Sequence, residues 1–491
     1  MIPTRLLCCC YLLSFIFIAV APRTIDSKLV TSLPGFDGRL PFRLHTGYVE
    51  VEQGTELFYY FVESEDGGEG GPFLLWLTGG DRCSAFSGLA YEIGPIRFVL
   101  EPYNGSLPRL HINPNSWTKV AHILFVDSPV GAGFSFSKQP KGYEVGDVSS
   151  SLQLHDFLIK WFSDHPKYLK NPFYIGGDSY AGKLVPYIAH IISQGSTYIY
   201  HVPCFASPSA SICVQTSIEA ENSPRINLKG YLVGNPSTGE SIDISSKVPY
   251  AHGVGIISDQ LYETILGHCQ GQDYMFPTND LCAQALDDFN HLLSEVQQAQ
   301  ILLDTCVFAS TPARPEADSG TKYSGGSGRR ILLGNPPPRP PFGCITYGYY
   351  LSYFWANAEA TRNALGIKEG SVEEWVRCHN GDLPYTIDLR SSIEYHRNVT
   401  ADGGYRALVY SGDHDAMVPH LGTQAWIRSL GFPIAHQWRA WHLHGQSAGF
   451  TLTYSNNMTF ATIKGGGHTA PEYEPERCFA MFSRWILGKP L

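Results

Sequence analysis

Phe173-Tyr-Ile-Gly-Gly-Asp-Ser-Tyr-Ala-Gly182 carries a short apolar run into a turn that holds Ser179 between small residues. Phe173 to Gly177 reads as a strand, and Leu184 to Ile192 beyond the turn reads as a helix. A strand that turns sharply into a helix has room only for small side chains beside the residue at its apex. Gly177 lies two before Ser179 and Ala181 two after, so the pattern departs from G-x-S-x-G only in that alanine. Outward from this turn, Phe73 to Leu77 and His122 to Val126 are apolar runs of buried-strand length. Ser149 to Phe162 repeats Leu152, Phe157, Leu158 and Trp161 at helical spacing, and Gly230–Val233, Ala407–Tyr410 and Thr459–Ile463 supply later strands. Strands alternating with helical patterns predict an α/β fold around a central, mostly parallel sheet, as one domain over residues 28–491.

A serine on such a turn performs acyl transfer when a base and an orienting acid accompany it. Asp415 ends Ser411-Gly-Asp-His-Asp415 after one predicted strand, and His468 ends Gly465-Gly-Gly-His468 after another. Asp413 or Asp415 alone could merely cap a turn, and His468 alone could be an ordinary loop histidine. Together, at the carboxyl ends of strands and in the order Ser, Asp, His, they match the triad order of α/β-hydrolases. Trp76-Leu-Thr-Gly-Gly80 follows a strand where that fold needs a donor for developing negative charge. The Gly80 and Tyr180 backbone N–H groups are the expected pair, and a plain glycine turn is the competing reading.

The bulk of the chain excludes other classes. Apolar residues make up 43% and charged residues 16%, a globular balance. The formal charge of −10 offers no basic footprint for nucleic acid. Arg5, the apolar stretch Leu6 to Val20 and Ala19-Val20-Ala21 predict a signal peptide over residues 1–21, extending to about 27, with a signal anchor as the competing reading. No later run is long enough to cross a bilayer. Beyond that segment lie Cys83, Cys204, Cys213, Cys269, Cys282, Cys306, Cys344, Cys378 and Cys478. No two form a close CxxC pair, so disulfides with one odd cysteine are expected, and no metal site. Asn104, Asn398 and Asn457 head glycosylation sequons, in keeping with export. Residues 241–341 break the α/β rhythm and predict an inserted helical lid, ending in an exposed, cleavable loop over 312–341 that contains Arg329-Arg330. Ser196 to Glu219 is a second interruption. It reads as a functional loop closed by Cys204 and Cys213, or as retained intron sequence.

At these residues the chain resembles the serine carboxypeptidase family, and within it the plant serine carboxypeptidase-like proteins. The matching segments are Trp76 to Gly80, Cys83 with Tyr91-Glu-Ile-Gly-Pro95, Val126 to Phe134, Gly177 to Gly182, Asn227 to Pro236, Tyr410 to Pro419 and Gly465 to Pro471. The resemblance implies the α/β-hydrolase fold, the triad Ser179–Asp415–His468, and the disulfides Cys83–Cys378, Cys269–Cys282 and Cys306–Cys344. Cleavage of the exposed loop would then leave two linked chains. It also implies a substrate subsite. Carboxypeptidases of the family bind a terminal carboxylate with an asparagine and two glutamates. Here those positions are Thr78, beside Gly79, then Glu92 and Asp178. Thr78 and Asp178 resemble the acyltransferase branch, which moves an acyl group from a glucose ester to an alcohol or amine acceptor through an acyl-serine. Glu92 keeps open a carboxypeptidase acting at acidic pH on a peptide C-terminus. Asp81-Arg82 stands where the family usually has Pro-Gly. This pair, solvated or reshaping the hole, allows a third reading: an impaired member acting by binding. The chemistry calls for no cofactor, and the implied location is the secretory route, extracellular or vacuolar.

Overall fold

Apolar runs at strand length become the middle of a twisted sheet. The computed structural model describes residues 27–66, 70–80, 82–195, 200–203, 212–215, 224–307, 336–379, 381, 383–401 and 404–491. The expected leader, Asp81, most of 196–219 with Cys204, and 308–335 with Arg329-Arg330 lie outside the described residues.

The strands of the main sheet are β1 Ser27–Val30, β2 Leu44–Glu52, β3 Thr55–Val62, β4 Phe73–Leu77, β5 His122–Val126, β6 Phe173–Asp178, β7 Leu228–Gly234, β8 Arg406–Gly412, β9 Ile434–Leu443, β10 Gln446–Tyr454 and β11 Met458–Ile463. Their spatial order is β1-β2-β3-β5-β4-β6-β7-β8-β11-β10-β9, and the short strand Phe136–Ser137 pairs with β3. Every pairing from β5 across to β11 is parallel, and antiparallel strands flank this block on both sides. β6 lies at its centre. Gly177 is in register with Leu77 of β4 and Val233 of β7.

Alternate residues of the parallel strands feed two cores. One face carries Leu74, Trp76, Leu232 and Leu408, and the other Leu75, Ile175, Val233 and Val409. A sheet buried on both sides needs helices over each face. α1 Asp147–Asp164 and α2 Ala181–Gln194 cover the second face through Phe157, Trp161, Val185 and Ile188. α1 starts two residues before the predicted helix. The Ser149 hydroxyl accepts from the Gly146 N–H at 2.8 Å and so closes the first turn.

Four helices follow β7: α3 Ile242–Ser245, α4 Lys247–Gly253, α5 Asp259–His268 and α6 Asp280–Ser294. α4, α5 and α6 share an apolar cluster around Ile265, Leu286 and Phe289, and Cys269–Cys282 joins α5 to α6. Cys306–Cys344 brackets residues 308–335, and α7 Tyr347–Asn357 then packs through Leu351 and Trp355 into the first core. Cys83–Cys378 is the third bond, and Cys478 is free and buried.

Candidate active site

Steric limits build the site around Ser179. Its φ is +54°, a left-handed conformation that a non-glycine residue adopts only under constraint. The constraint includes the hydrogen bond from the Ser179 N–H to the Gly234 carbonyl at 2.9 Å. A Cβ at Gly177 would lie 2.6 Å from the Leu77 carbonyl oxygen and 2.7 Å from the Ala181 Cβ, which explains the small residues around the turn.

The fold brings together three residues that lie far apart in sequence. His468 Nε2 is 2.7 Å from Ser179 Oγ, and His468 Nδ1 is 2.8 Å from Asp415 Oδ2. Asp415 is fully buried and held from several sides. Its carboxylate accepts from the Asn235 side chain at 2.7 Å, the Met417 N–H at 2.7 Å and the Val418 N–H at 3.2 Å. Asn235 itself accepts from the Gly412 N–H at 3.1 Å, so it ties the end of β7 to the loop after β8. Sequence reading gave Asn235 no role, although an amide at the carboxyl end of a central strand is a signal of this kind. Burial disfavours the His468 imidazolium, but the charge and hydrogen bond of Asp415 outweigh it and raise its pKa above the usual value.

Gly79 and Gly80 follow β4 and face Ser179. Gly80 has φ +83°, and among the described residues neither its N–H nor that of Tyr180 donates to a backbone acceptor. Both remain available to a ligand. The Gly79 N–H instead donates to Asp178 Oδ1 at 2.9 Å. A Cβ on Gly79 would stand 2.6 Å from the Ser179 Cβ. Gly79→Ala is therefore expected to slow acylation about 100-fold with the fold retained, since displacement of reacting atoms by about 1 Å costs that much. Stopped-flow acylation alongside a melting curve checks this.

A cavity of about 300 Å³ opens beside Ser179. Thr78, Glu92 and Asp178 line it, and so do Tyr349, Arg377 and Met417, which the sequence reading passed over. Thr78 Oγ1 is buried and has no hydrogen-bond partner among the described residues. Glu92 accepts from the Trp76 indole N–H at 2.6 Å. Desolvation, then the charge of Asp178, raises the Glu92 pKa well above the ordinary range, and desolvation raises Asp178 as well. Arg377 lies 3.8 Å above the Tyr349 ring and draws both acids the other way.

Arg82 is not solvated, contrary to one expectation. It is buried and donates to the carbonyls of Val130, Tyr143 and Pro384. Asn104 and Asn457 are exposed and Asn398 is partly buried.

Residues 34–488 match the family model described as Serine carboxypeptidase. The chain belongs to the serine carboxypeptidase family. It is 44% identical over 477 residues to Serine carboxypeptidase-like 19 of Arabidopsis thaliana, covering 95% of each chain. To Serine carboxypeptidase-like 7 of the same plant it is 42% identical, over 98% of each chain. Among solved structures it resembles Kex1(delta)p, a prohormone-processing carboxypeptidase from Saccharomyces cerevisiae, with a TM-score of 0.64 and 18% identity over 91% of each chain. That likeness concerns the fold, and it agrees with the predicted α/β-hydrolase architecture. The protein is thus a serine carboxypeptidase-like enzyme of α/β-hydrolase fold, from a family acting on small substrates or peptides. Among the described residues no helix is long and apolar enough to cross a membrane.

Buried acids make the stability of this family member pH-dependent. Asp127 accepts from the Ser84 hydroxyl and from the Ala85 and Phe134 N–H groups, yet desolvation still lifts its pKa to about 7. An unfolded aspartate titrates near about 3.9. Between those values the folded chain holds a proton that the unfolded chain has released. The stabilisation is complete below the lower value and is lost as pH rises through the upper one. Glu92, Asp178 and Glu472, all raised by burial, act in the same direction. His45, His122, His165, His396 and His420, all lowered by burial, act the other way below their unfolded value. The acid contribution is therefore isolated by Asp127→Asn, which is expected to make the melting temperature fall less between about pH 5 and about pH 8 than it does in the wild type, as calorimetry on both would register.

Proposed function

We propose that the protein is an acyltransferase, moving an acyl group from a glucose ester to an alcohol or amine acceptor through an acyl-Ser179 intermediate. The observation that carries this reading is the engagement of Asp178. One of its carboxylate oxygens is spent on the Gly79 N–H, and Thr78 stands where an amide would help grip a terminal carboxylate. The subsite is thereby less suited to a peptide's C-terminus, while the machinery for acyl exchange is kept.

In the proposed cycle, His468 Nε2 takes the Ser179 hydroxyl proton as Oγ attacks the donor's ester carbonyl. The Gly80 and Tyr180 N–H groups receive the developing oxyanion. The tetrahedral species collapses, His468 returns the proton to the leaving sugar oxygen, and acyl-Ser179 remains. The acceptor then gives its proton to His468 as it attacks the acyl carbonyl. A second collapse releases the new ester or amide and restores the Ser179 hydroxyl. No cofactor takes part.

A carboxypeptidase is the second reading. The raised pKa values of Glu92 and Asp178 favour it, because a protonated acid can share its proton with a substrate carboxylate. The two readings separate in paired assays, one with a benzoyl glucose ester and a panel of alcohols, the other with an N-blocked dipeptide at acidic pH. A new ester with little released amino acid is the expected result. Asp178→Glu, which adds one methylene, is expected to raise peptidase turnover about 10-fold or more relative to transfer, the scale of one well-placed binding group. Efficient peptide cleavage by the wild type would refute the acyltransferase reading. The predicted leader, the sequons and the disulfides support a secretory route, vacuolar or extracellular.

A further inference from the structure

The two N–H groups read as oxyanion donors sit on different segments, Gly80 in the loop after β4 and Tyr180 at the start of α2. Their mutual distance depends on something that joins those segments, and a single buried polar unit does so.

On the Tyr180 side the centre is Asp147, fully buried at the start of α1. Its carboxylate accepts from the Tyr180 hydroxyl at 2.6 Å, the Tyr385 hydroxyl at 2.9 Å, Lys183 Nζ at 3.1 Å and the Leu389 N–H at 3.0 Å. Lys183 is on the first turn of α2, and its ammonium lies 5.5 Å from the Tyr180 ring. The side chain next to the nucleophile is therefore gripped from α1, from α2 and from the Tyr385 segment. On the Gly80 side the centre is Arg82. Its guanidinium bonds three carbonyls from three loops and stands 6.0 Å from the Tyr385 ring. Tyr143 and Pro384, whose carbonyls accept two of those bonds, flank the short parallel pair Val145–Gly146 and Tyr385–Thr386 that leads into α1. Cys83, directly after Arg82, is bonded to Cys378, and the Ser84 N–H donates to the Arg377 carbonyl at 2.7 Å. Tyr385 is the joint, with Arg82 against its ring and Asp147 on its hydroxyl.

Arg82 occupies a position where the resemblance leads to glycine. Both terminal nitrogens of the buried Arg82 guanidinium donate to backbone carbonyls, and charge-assisted bonds of this kind are strong and directional. Its three carbonyl bonds give it a defined place, and what it fixes is the start of the loop that presents Gly80.

We infer that Arg82, Tyr385 and Asp147 are positioning residues that hold the Gly80 and Tyr180 N–H donors at the spacing of one oxyanion. This rests on the reading of Ser179 as the nucleophile and of those two N–H groups as donors. It holds whether the acceptor is an alcohol, an amine or water.

The test uses Tyr180→Phe, Tyr385→Phe and Arg82→Lys in the full chain. The two phenylalanine variants lose one hydroxyl each and keep the Asp147–Lys183 pair. Three readouts are compared: acylation by p-nitrophenyl acetate, affinity for phenylboronic acid, whose tetrahedral adduct puts an oxygen between the donors, and affinity for benzamide, which is planar. Each variant is expected to acylate about tenfold more slowly with KM unchanged, and to bind the boronate weaker by the same factor while benzamide affinity stays constant. Acylation rates and boronate affinities within about twofold of wild type in all three would overturn the inference. So would losses matched by benzamide, which would mark a general disturbance of the cavity. A fluorophosphonate that fails to label wild-type Ser179 would overturn the nucleophile reading and this inference with it. Labelling of wild type with unaffected variants would overturn this inference alone.

Discussion

Ser179→Ala is expected to lower transfer or hydrolysis about 10⁶-fold, the scale on which removal of a triad nucleophile acts. The size follows from the division of labour in the site. Without Oγ no acyl intermediate forms, and His468 Nε2, now 2.7 Å from no oxygen, can only help a water or an acceptor attack directly. The Gly80 and Tyr180 N–H groups and the cavity would still bind the donor. KM for the acyl donor is therefore expected to stay within an order of magnitude while kcat collapses. The melting temperature should hold or rise, because alanine removes a hydroxyl from a residue at φ +54° without leaving a void in either core. Rapid-quench detection of the acyl-enzyme is the direct measurement. A variant retaining more than about one per cent of turnover would show that Ser179 is not the nucleophile.

Asp415→Asn should rank second, with a loss of about 10⁴ in kcat. The carboxylate receives four donors: His468 Nδ1–H, the Asn235 amide and the Met417 and Val418 N–H groups. An asparagine has one acceptor oxygen for them, and its NH₂ must then face at least one N–H. The imidazole would turn or change tautomer, presenting a proton where a lone pair is needed by Ser179. The His468 pKa, held up by the charge of Asp415, should fall, so the remaining activity should extend to lower pH. Asp413 in the same motif serves as the control. It accepts from the Gly465 N–H at 2.7 Å and lies 2.6 Å from His414, away from His468. Asp413→Asn should therefore cost far less, and the reverse ranking would assign the orienting acid to Asp413.

Much of this was legible in sequence because the parallel block is written as continuous apolar runs. Phe73–Leu77 and His122–Val126 have the same limits in the structure as in the reading, and the others differ by one or two residues. A strand covered by helices on both faces has no polar alternation to blur its ends. The flanking antiparallel strands were missed for opposite reasons. β2 and β3 are almost wholly buried yet mix glutamate, histidine, threonine and tyrosine. β9 is exposed along most of its length, with Trp438 stacked on Phe450, and it has no period to detect. Within the site, motif residues announced Ser179 and His468, and Asp415 was read from its place after a strand and from the order Ser, Asp, His. Asn235, Arg377 and Asp147 were invisible because their roles depend on contacts between distant segments. Arg82 was noticed only as an oddity, since burial of a charge cannot be read from a glycine-rich loop.

The bond between Cys83 and Cys378 closes 295 residues, and the chain of contacts from Ser179 through His468 to Asp415 draws on residues as late as position 468. No amino-terminal portion of this polypeptide can therefore be a smaller working enzyme. A chain ending before Met458 would keep Ser179 and Cys378 but lack His468. During synthesis the chain cannot assemble Ser179 with His468 until nearly all of it has been made. The order in which the ribosome delivers the parts therefore puts the base last, after the nucleophile and the acid.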